Sequence, residues 1–381
     1  MSWASVTLGE VSTNIQTGPF GSQLHQSDYS DGGVPVVMPK DLVDGHISED
    51  SIARVSMSHV DKLSRHKIEV GDILYSRRGD VGRCAFATEV EQGWLCGTGC
   101  LRVTIDQSKA IPKFIFYQLQ KAETIGWVEK HAVGSTMLNL NTSILGSVPI
   151  ELPSMAEQQM IVHVLSAYDD LIENNQKQIK LLEEAAQRLY KEWFVDLRFP
   201  GHENVKIVDG VPEGWENASV TDLLEIRYGK DHKGLADGCI PVYGSGGIMR
   251  KVDKILYSGE SVLIPRKGSL NNILLVSGDF WTIDTMFYSV PKRPNVAKYV
   301  YLYLTEIDMY AMNIGAAVPS MSVKILDGMR LLCPSDSILE LFETTAKPYY
   351  EMIELLKKKQ SMLGETRDRL LPKLMSGEIE V

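Results

Sequence analysis

The second half of this chain repeats the first. When residue n is set against residue n+181, a gap-free match runs through the end of each half. Gly134 falls on Gly315, Ile144-Leu145 on Ile325-Leu326, Pro153-Ser154 on Pro334-Ser335, and Arg188-Leu189 on Arg369-Leu370. Upstream the match continues with changed offsets, as loops of different length would give. Ile73-Leu74-Tyr75-Ser76-Arg77-Arg78-Gly79 resembles Val262-Leu263-Ile264-Pro265-Arg266-Lys267-Gly268, and Ser5-Val6-Thr7 after Trp3 resembles Ser219-Val220-Thr221 after Trp215. Two copies at so long a period exclude a solenoid and indicate tandem duplication of a domain. Each copy reads as a mixed, Gly-containing globule followed by one long helical pattern. A duplicated globule-plus-rod implies a pseudo-two-fold relation, which suits a molecule that touches something at two spaced places.

A chain of 381 residues can bury more than one core, so two or more domains are expected. No apolar run approaches the roughly 20 residues that span a bilayer, and no basic-then-apolar leader opens the chain. A cytoplasmic protein without a membrane partner is expected. The cysteines are Cys84, Cys96, Cys100, Cys239 and Cys333. Cys96 and Cys100 have a metal-like spacing but no second pair follows, so buried, reduced thiols and no metal site are expected. The net charge of −10 weighs against nucleic acid. Most of that excess sits in the two helical segments, which leaves near-neutral globules on which basic patches can stand, and acidic rods that suit a protein partner.

Pro153 followed by Ser154 and Glu157 has the spacing of a helix start with a capping box. From there a heptad seam runs through Ile161, Leu165, Tyr168, Ile172, Asn175, Ile179, Leu182, Ala186, Leu189 and Trp193. Pro200-Gly201 is expected to end it, after a rod of roughly 65 Å. The second rod carries Phe342, Ala346, Tyr349, Ile353, Leu356, Gln360, Leu363, Arg367, Leu370 and Leu374 at the shifted positions. Pro348 is expected to break or kink its first turns. Ile338 stands where the first rod has Glu157, so Ser337 and Glu340 are the candidate capping box one turn on. Asn175 is read either as a buried polar residue that fixes register or as a solvated residue at the mouth of the seam, and Gln360 is read as its match in the second rod, able to meet it. Two such helices from one ancestor most simply pack on each other, antiparallel.

Residues 1–152 and 201–333 are the expected globules, and 153–200 and 334–381 the expected rods. Short strand-like runs appear at Val34–Met38, Asp72–Tyr75, Ser261–Ile264 and Phe280–Ile283, with helices at Ile111–Glu129 and Val296–Met312. The class is α+β. No catalytic motif survives inspection: GxGxxG, Walker A, nucleophile elbow, HExxH and the (D/N)PP(Y/F) of DNA amine methyltransferases are all missing. What remains is loop chemistry suited to DNA. Arg77-Arg78-Gly79 and Arg266-Lys267-Gly268-Ser269 follow equivalent strands, and arginine can bond a guanine edge with two donors. Ser135, Thr136 and Asn139 add hydroxyls and an amide from the Gly134–Asn141 loop.

The chain resembles the specificity subunit of a type I restriction-modification system over essentially its whole length. The residues that carry this are Leu152-Pro153-Ser154-Met155-Ala156-Glu157-Gln158-Gln159 and the ending Arg369-Leu370-Leu371-Pro372-Lys373-Leu374-Met375-Ser376-Gly377-Glu378-Ile379. Thr17-Gly18-Pro19-Phe20-Gly21-Ser22-Gln23-Leu24, Tyr243-Gly244-Ser245-Gly246-Gly247 and Ile283-Asp284-Thr285 are similar to parts of target-recognition domains. The resemblance implies two target-recognition domains, each reading half of a bipartite double-stranded DNA target. It implies two antiparallel helices that set the unread spacer and dock two modification subunits. S-adenosylmethionine would belong to those subunits, ATP and Mg²⁺ to restriction subunits, and no cofactor or active site to this chain. The expected DNA-binding residues are Gln23, Lys40, Arg77, Arg78, Ser135, Thr136, Asn139, Tyr243, Ser245, Arg266, Lys267 and Ser269. Expected docking and seam residues are Ile161, Leu165, Ile172, Asn175, Ile179, Leu182, Ile353, Leu356, Gln360 and Leu363. The alternative from another class is a duplicated protein–protein scaffold without DNA readout.

Overall fold

The computed structural model describes residues 3–134, 138–315 and 318–380. They form two compact units, one of residues 1–174 with 359–381, the other of residues 175–358.

In the first unit an antiparallel sheet runs in the order Ser12–Thr17, Cys100–Ile105, Ile73–Ser76, Cys84–Phe86. Alternate side chains of a strand point to opposite faces, and here both faces are covered. Ile73 and Tyr75 enter a core with Phe114, Ile115 and Leu119 of the helix Pro112–Leu119. Leu74 enters a second core with Val37, Ile68, Ala85 and Cys100. That is why the strand reads as an unbroken apolar run. A second sheet includes Val34–Val37, paired in parallel with Leu95–Cys96.

The second unit repeats this plan. Its antiparallel sheet is ordered Leu224–Tyr228, Met286–Pro291, Ser261–Pro265, Leu274–Val276. Val262 and Ile264 face a core that includes the helix Val296–Thr305, while Leu263 packs with Phe280, Met286 and Tyr288. Asp237–Gly244 pairs in parallel with Asp279–Thr282. Each globule is closed by pairing a strand near its start with its last strand: Ala4–Thr7 with Pro149–Leu152, and Glu216–Ser219 with Arg330–Cys333.

The strands expected from sequence all form. The helix expected over residues 111–129 is two, Pro112–Leu119 and Ala122–His131, because Lys121 is extended (ψ 139°) and starts the second. The helix expected over 296–312 stops at Thr305; Asp308 then accepts the Tyr310 N–H at 3.1 Å and starts a separate 3-10 turn, Met309–Met312.

The two long helices are Met155–Tyr190 and Asp336–Met375. At the first start, the Ser154 N–H donates to Glu157 Oε2 at 3.0 Å and Ser154 Oγ accepts the Glu157 N–H at 3.3 Å, the expected capping box. At the second, Ser335 is the cap: its carbonyl accepts the N–H groups of Ile338 and Leu339, both at 3.0 Å. Ser337 and Glu340 lie inside the helix and form no box; Arg293 instead donates to Asp336 of the first turn at 2.6 Å. The first helix ends in a π-turn, Lys191–Val195, which carries Trp193 and Phe194 together into the core. Leu197, left-handed at φ 59°, then turns the chain ahead of Pro200. Pro348 does not break the second helix. It forfeits one backbone bond, but Phe342, Ala346 and Ile353 are buried on either side and hold the helical path.

Within each unit the helix segments run antiparallel. In the first, Ile161 and Leu165 share a core with Leu374 and Met375, and Asp169 bonds Arg367. In the second, Ile179 packs with Ile353 and Leu356, with Leu182 beside them, and the Trp193 ring lies 5.7 Å from Phe342. Ile172, Gln360 and Leu363 are only half-buried, as expected where two helices alone form a seam. Asn175 is buried and its amide nitrogen has no hydrogen-bond partner among the described residues. At the 181-residue offset Asn175 falls on Leu356 and Gln360 on Ile179, so the two polar seam residues are not copies of each other. Cys84, Cys96, Cys100 and Cys333 are buried free thiols, and burial pushes Cys96 up to about 12. Cys239, on the strand Asp237–Gly244, is exposed, contrary to expectation. Among the described residues no helix is long and apolar enough to cross a membrane.

Candidate nucleic-acid interface

The basic turns are built the same way in both units. In the first, the Arg77 N–H donates to the Gly99 carbonyl at 2.8 Å, and the Arg77 carbonyl accepts the Leu140 N–H at 2.8 Å. The Gly79 N–H donates to the Leu138 carbonyl at 3.1 Å, and Arg78 bridges Asn139. In the second, the Arg266 N–H donates to Thr285 at 2.8 Å and its carbonyl accepts from Met321 at 2.9 Å. The Gly268 N–H donates to Pro319 at 2.9 Å, and Lys267 bridges Ser320. Gly79 and Gly268 both sit at positive φ, 75° and 89°, which only glycine adopts cheaply. The loop that clasps each turn leads into a short helix capped by its own side chain: Asn141 accepts from Ile144, and Ser322 from Ile325. A basic turn fixed by backbone bonds on both sides presents its side chains without a large ordering cost on binding.

Arg78 and Lys267 are exposed, while Arg77 and Arg266 are half-buried. Arg77 lies over the Phe20 ring, 5.9 Å from its centroid, and Arg266 over Tyr228 at 5.3 Å. Arg266 also donates to the Asp284 carbonyl at 3.1 Å. Gln23 is exposed and its Oε1 accepts the Phe20 N–H at 3.2 Å, which brings it to the same edge. Asn139 is half-buried, and its Oδ1 is buried without a hydrogen-bond partner among the described residues. Ser135 and Thr136 lie outside the described residues.

Lys40 is exposed but committed locally: Nζ donates to the Ser51 carbonyl at 2.8 Å. In the second unit Ser245 belongs with the basic turn. Its hydroxyl lies against Gly268, and its carbonyl accepts from Asn272 at 2.9 Å. Ser269 is exposed on the same turn. Tyr243 is half-buried and packs edge-on to Phe280 at 6.3 Å, so its ring belongs to the core and burial raises its phenol pKa. Sequence reasoning missed Phe20 and Tyr228 as partners of the arginines. It also missed Tyr310, whose hydroxyl donates to the Gly268 carbonyl at 3.3 Å. The available signal was an aromatic at or just after the end of each edge strand, Phe20 after Ser12–Thr17 and Tyr228 ending Leu224–Tyr228.

Among the described residues, no group of three or more His, Cys, Asp or Glu gathers as a metal site. What the two faces offer is cationic donors with hydroxyls, an amide and exposed rings, which matches the chemistry of nucleic-acid edges and phosphates.

A model of the type I restriction modification DNA specificity domain matches residues 1–184. The chain is 27% identical over 394 residues to the type I restriction enzyme MjaIX specificity subunit of Methanocaldococcus jannaschii, covering 93% of this chain and 88% of that protein. It is 22% identical to the HindI specificity subunit of Haemophilus influenzae, covering 99% of each. Its fold is similar to the crystal structure of a type I restriction-modification system S subunit from M. genitalium, with a TM-score of 0.58, 18% identity, and 98% and 96% of the two chains covered.

Proposed function

We propose that the chain is a specificity subunit of a type I restriction-modification system, as its similarity to such subunits over nearly its whole length supports, and that each of its two units reads one half of a bipartite double-stranded DNA target. The carrying observation is the basic turn, built twice with the same backbone bonds and with an arginine over an exposed ring each time. Arg78 and Lys267 supply exposed charge; Arg77 and Arg266 supply held guanidinium groups. The long helices set the spacer between half-sites and offer an acidic surface to two modification subunits. Catalysis lies in partner subunits: modification subunits carry S-adenosylmethionine, and restriction subunits use ATP and Mg²⁺. The complex works in the cytoplasm.

The net charge of −10 is the observation that favours the scaffold alternative. The two readings separate in one binding experiment. This chain, assembled with its modification subunit, should retard one duplex sequence selectively, and affinity should fall as salt rises. Replacing Arg77 and Arg78 with Ala should weaken binding by about 1–3 kcal/mol for each arginine that contacts a base. Binding without sequence preference at any salt concentration would favour the scaffold.

A further inference from the structure

The two arginine–aromatic pairs have a common origin in strand geometry. Phe20 follows the strand Ser12–Thr17, and Tyr228 ends the strand Leu224–Tyr228; these are the corresponding edge strands of the two antiparallel sheets. Beside each ring is a glycine that admits no side chain. A Cβ on Gly18 would lie 2.0 Å from the Gly97 carbonyl oxygen, and one on Gly229 would lie 2.0 Å from that of Ile283. The chain is thus pressed onto the turn whose carbonyl, Gly99 or Thr285, holds the arginine N–H. This contact delivers the ring to the guanidinium.

The rings are not core residues. Phe20 is 53% exposed and Tyr228 is 55% exposed. Among the described residues Phe20 joins no hydrophobic cluster, whereas Tyr228 rests edge-on against Phe287 at 5.0 Å. The Arg77 Nε is buried and has no hydrogen-bond partner among the described residues. Arg266 spends one donor on Asp284. Each guanidinium is therefore restrained by a π-face, and among the described residues no carboxylate pairs with it to neutralise its charge.

Building on the DNA-reading function above, we propose that Phe20 and Tyr228 are positioning residues for base readout, each holding the guanidinium of Arg77 or Arg266 in the plane that meets a guanine edge in its own half-site. A long side chain loses rotamer freedom when it binds, and an arginine stacked in advance loses less. A leucine in place of the ring keeps apolar bulk but removes the π-face. The exchanges Phe20→Tyr and Tyr228→Phe keep that face.

The test uses this chain complexed with its modification subunits. The target is first defined by sequencing the methylated bases. Affinities are then measured on duplexes that change one base pair of one half at a time. Phe20→Leu should lose about two- to fivefold of the discrimination in one half, and Tyr228→Leu a similar amount in the other. Phe20→Tyr and Tyr228→Phe should retain it, which a general packing defect would not predict. Discrimination unchanged in both Leu variants, lost in both halves at once, or replaced by uniform weakening on every duplex overturns the proposal. Arg77→Ala and Arg266→Ala separate the two levels. If they lose a half-site while the Leu variants do not, only the positioning role fails. If they too leave discrimination intact, the DNA-reading function fails with it.

Discussion

Arg367 donates from Nη1 to Oδ1 of Asp169 at 2.9 Å, an ion pair inside the first unit between its two long-helix segments. Asp169 is nearly buried, and its other oxygen accepts the Tyr117 hydroxyl at 2.5 Å, with Lys113 Nζ at 3.7 Å. The second unit has a related clasp: Lys298 donates to Glu260 at 2.5 Å and to Glu343 at 2.7 Å. Lys113-Phe114-Ile115-Phe116 and Lys298-Tyr299-Val300-Tyr301 occupy the same place on the duplicated helix. In each unit a lysine of the globule is thereby tied to a carboxylate of a long helix. Burial lowers the pKa of Lys113 despite Asp169, whereas at Lys298 the two carboxylates outweigh the opposing effect of burial and the net shift is upward.

Removing one partner of such a cluster leaves the others desolvated and unpaired, which costs more than the pair contributes. Asp169→Ala should therefore destabilise the protein by about 3–5 kcal/mol in urea unfolding. Adding Arg367→Met should recover part of that loss, because one stranded charge is removed. A single variant within experimental error of wild type would show that the cluster is solvated.

A second prediction concerns acid. His66 is buried, and burial, followed by the nearby Arg65 and Arg102 charges, lowers its pKa from 6.5 to about 4. Arg65 Nε donates to His66 Nε2 at 2.9 Å, which requires the neutral ring. Between pH 6.5 and 4 the unfolded chain binds a proton that the folded chain does not, so stability falls as pH drops through that window, by roughly 3 kcal/mol at most. His66→Gln should flatten this part of the stability profile. An unchanged slope in the variant would assign the acid sensitivity elsewhere.

The duplication made the architecture legible, and with it the basic turns. Apolar runs such as Val34–Val37 and Ile73–Ser76 announced strands because both their faces are covered. Pro348 misled because its local cost is outweighed by tertiary contacts at Phe342, Ala346 and Ile353, which no local pattern reveals. Tyr243 looked available as a donor, yet its ring packs against Phe280. Phe20 and Tyr228 escaped because they depend on a close backbone approach at Gly18 and Gly229, and because loop lengths shift them out of the constant offset. Arg367 stood at an apolar heptad position; only the fold supplies Asp169 as its partner.

The spacer role proposed for the long helices yields a third prediction. Heptad seams tolerate changes of seven residues because the apolar stripe is restored. Deleting Ile172–Gln178 together with Ile353–Lys359 removes about 10 Å from each helix. With DNA rising about 3.4 Å per base pair, the preferred spacer should shorten by roughly three base pairs while both half-sequences persist. Asn175 leaves with the deletion, so circular dichroism must first establish that the variant folds. A folded variant that keeps the original spacer would refute the spacer role.

The most direct test of two independent readers is an exchange of residues 1–150 for those of a relative, followed by sequencing of methylated bases in a strain that carries the hybrid. One half of the methylated sequence should change to that of the donor, with the other half and the spacer intact. A hybrid in which both halves change together, or in which neither does, would contradict the account.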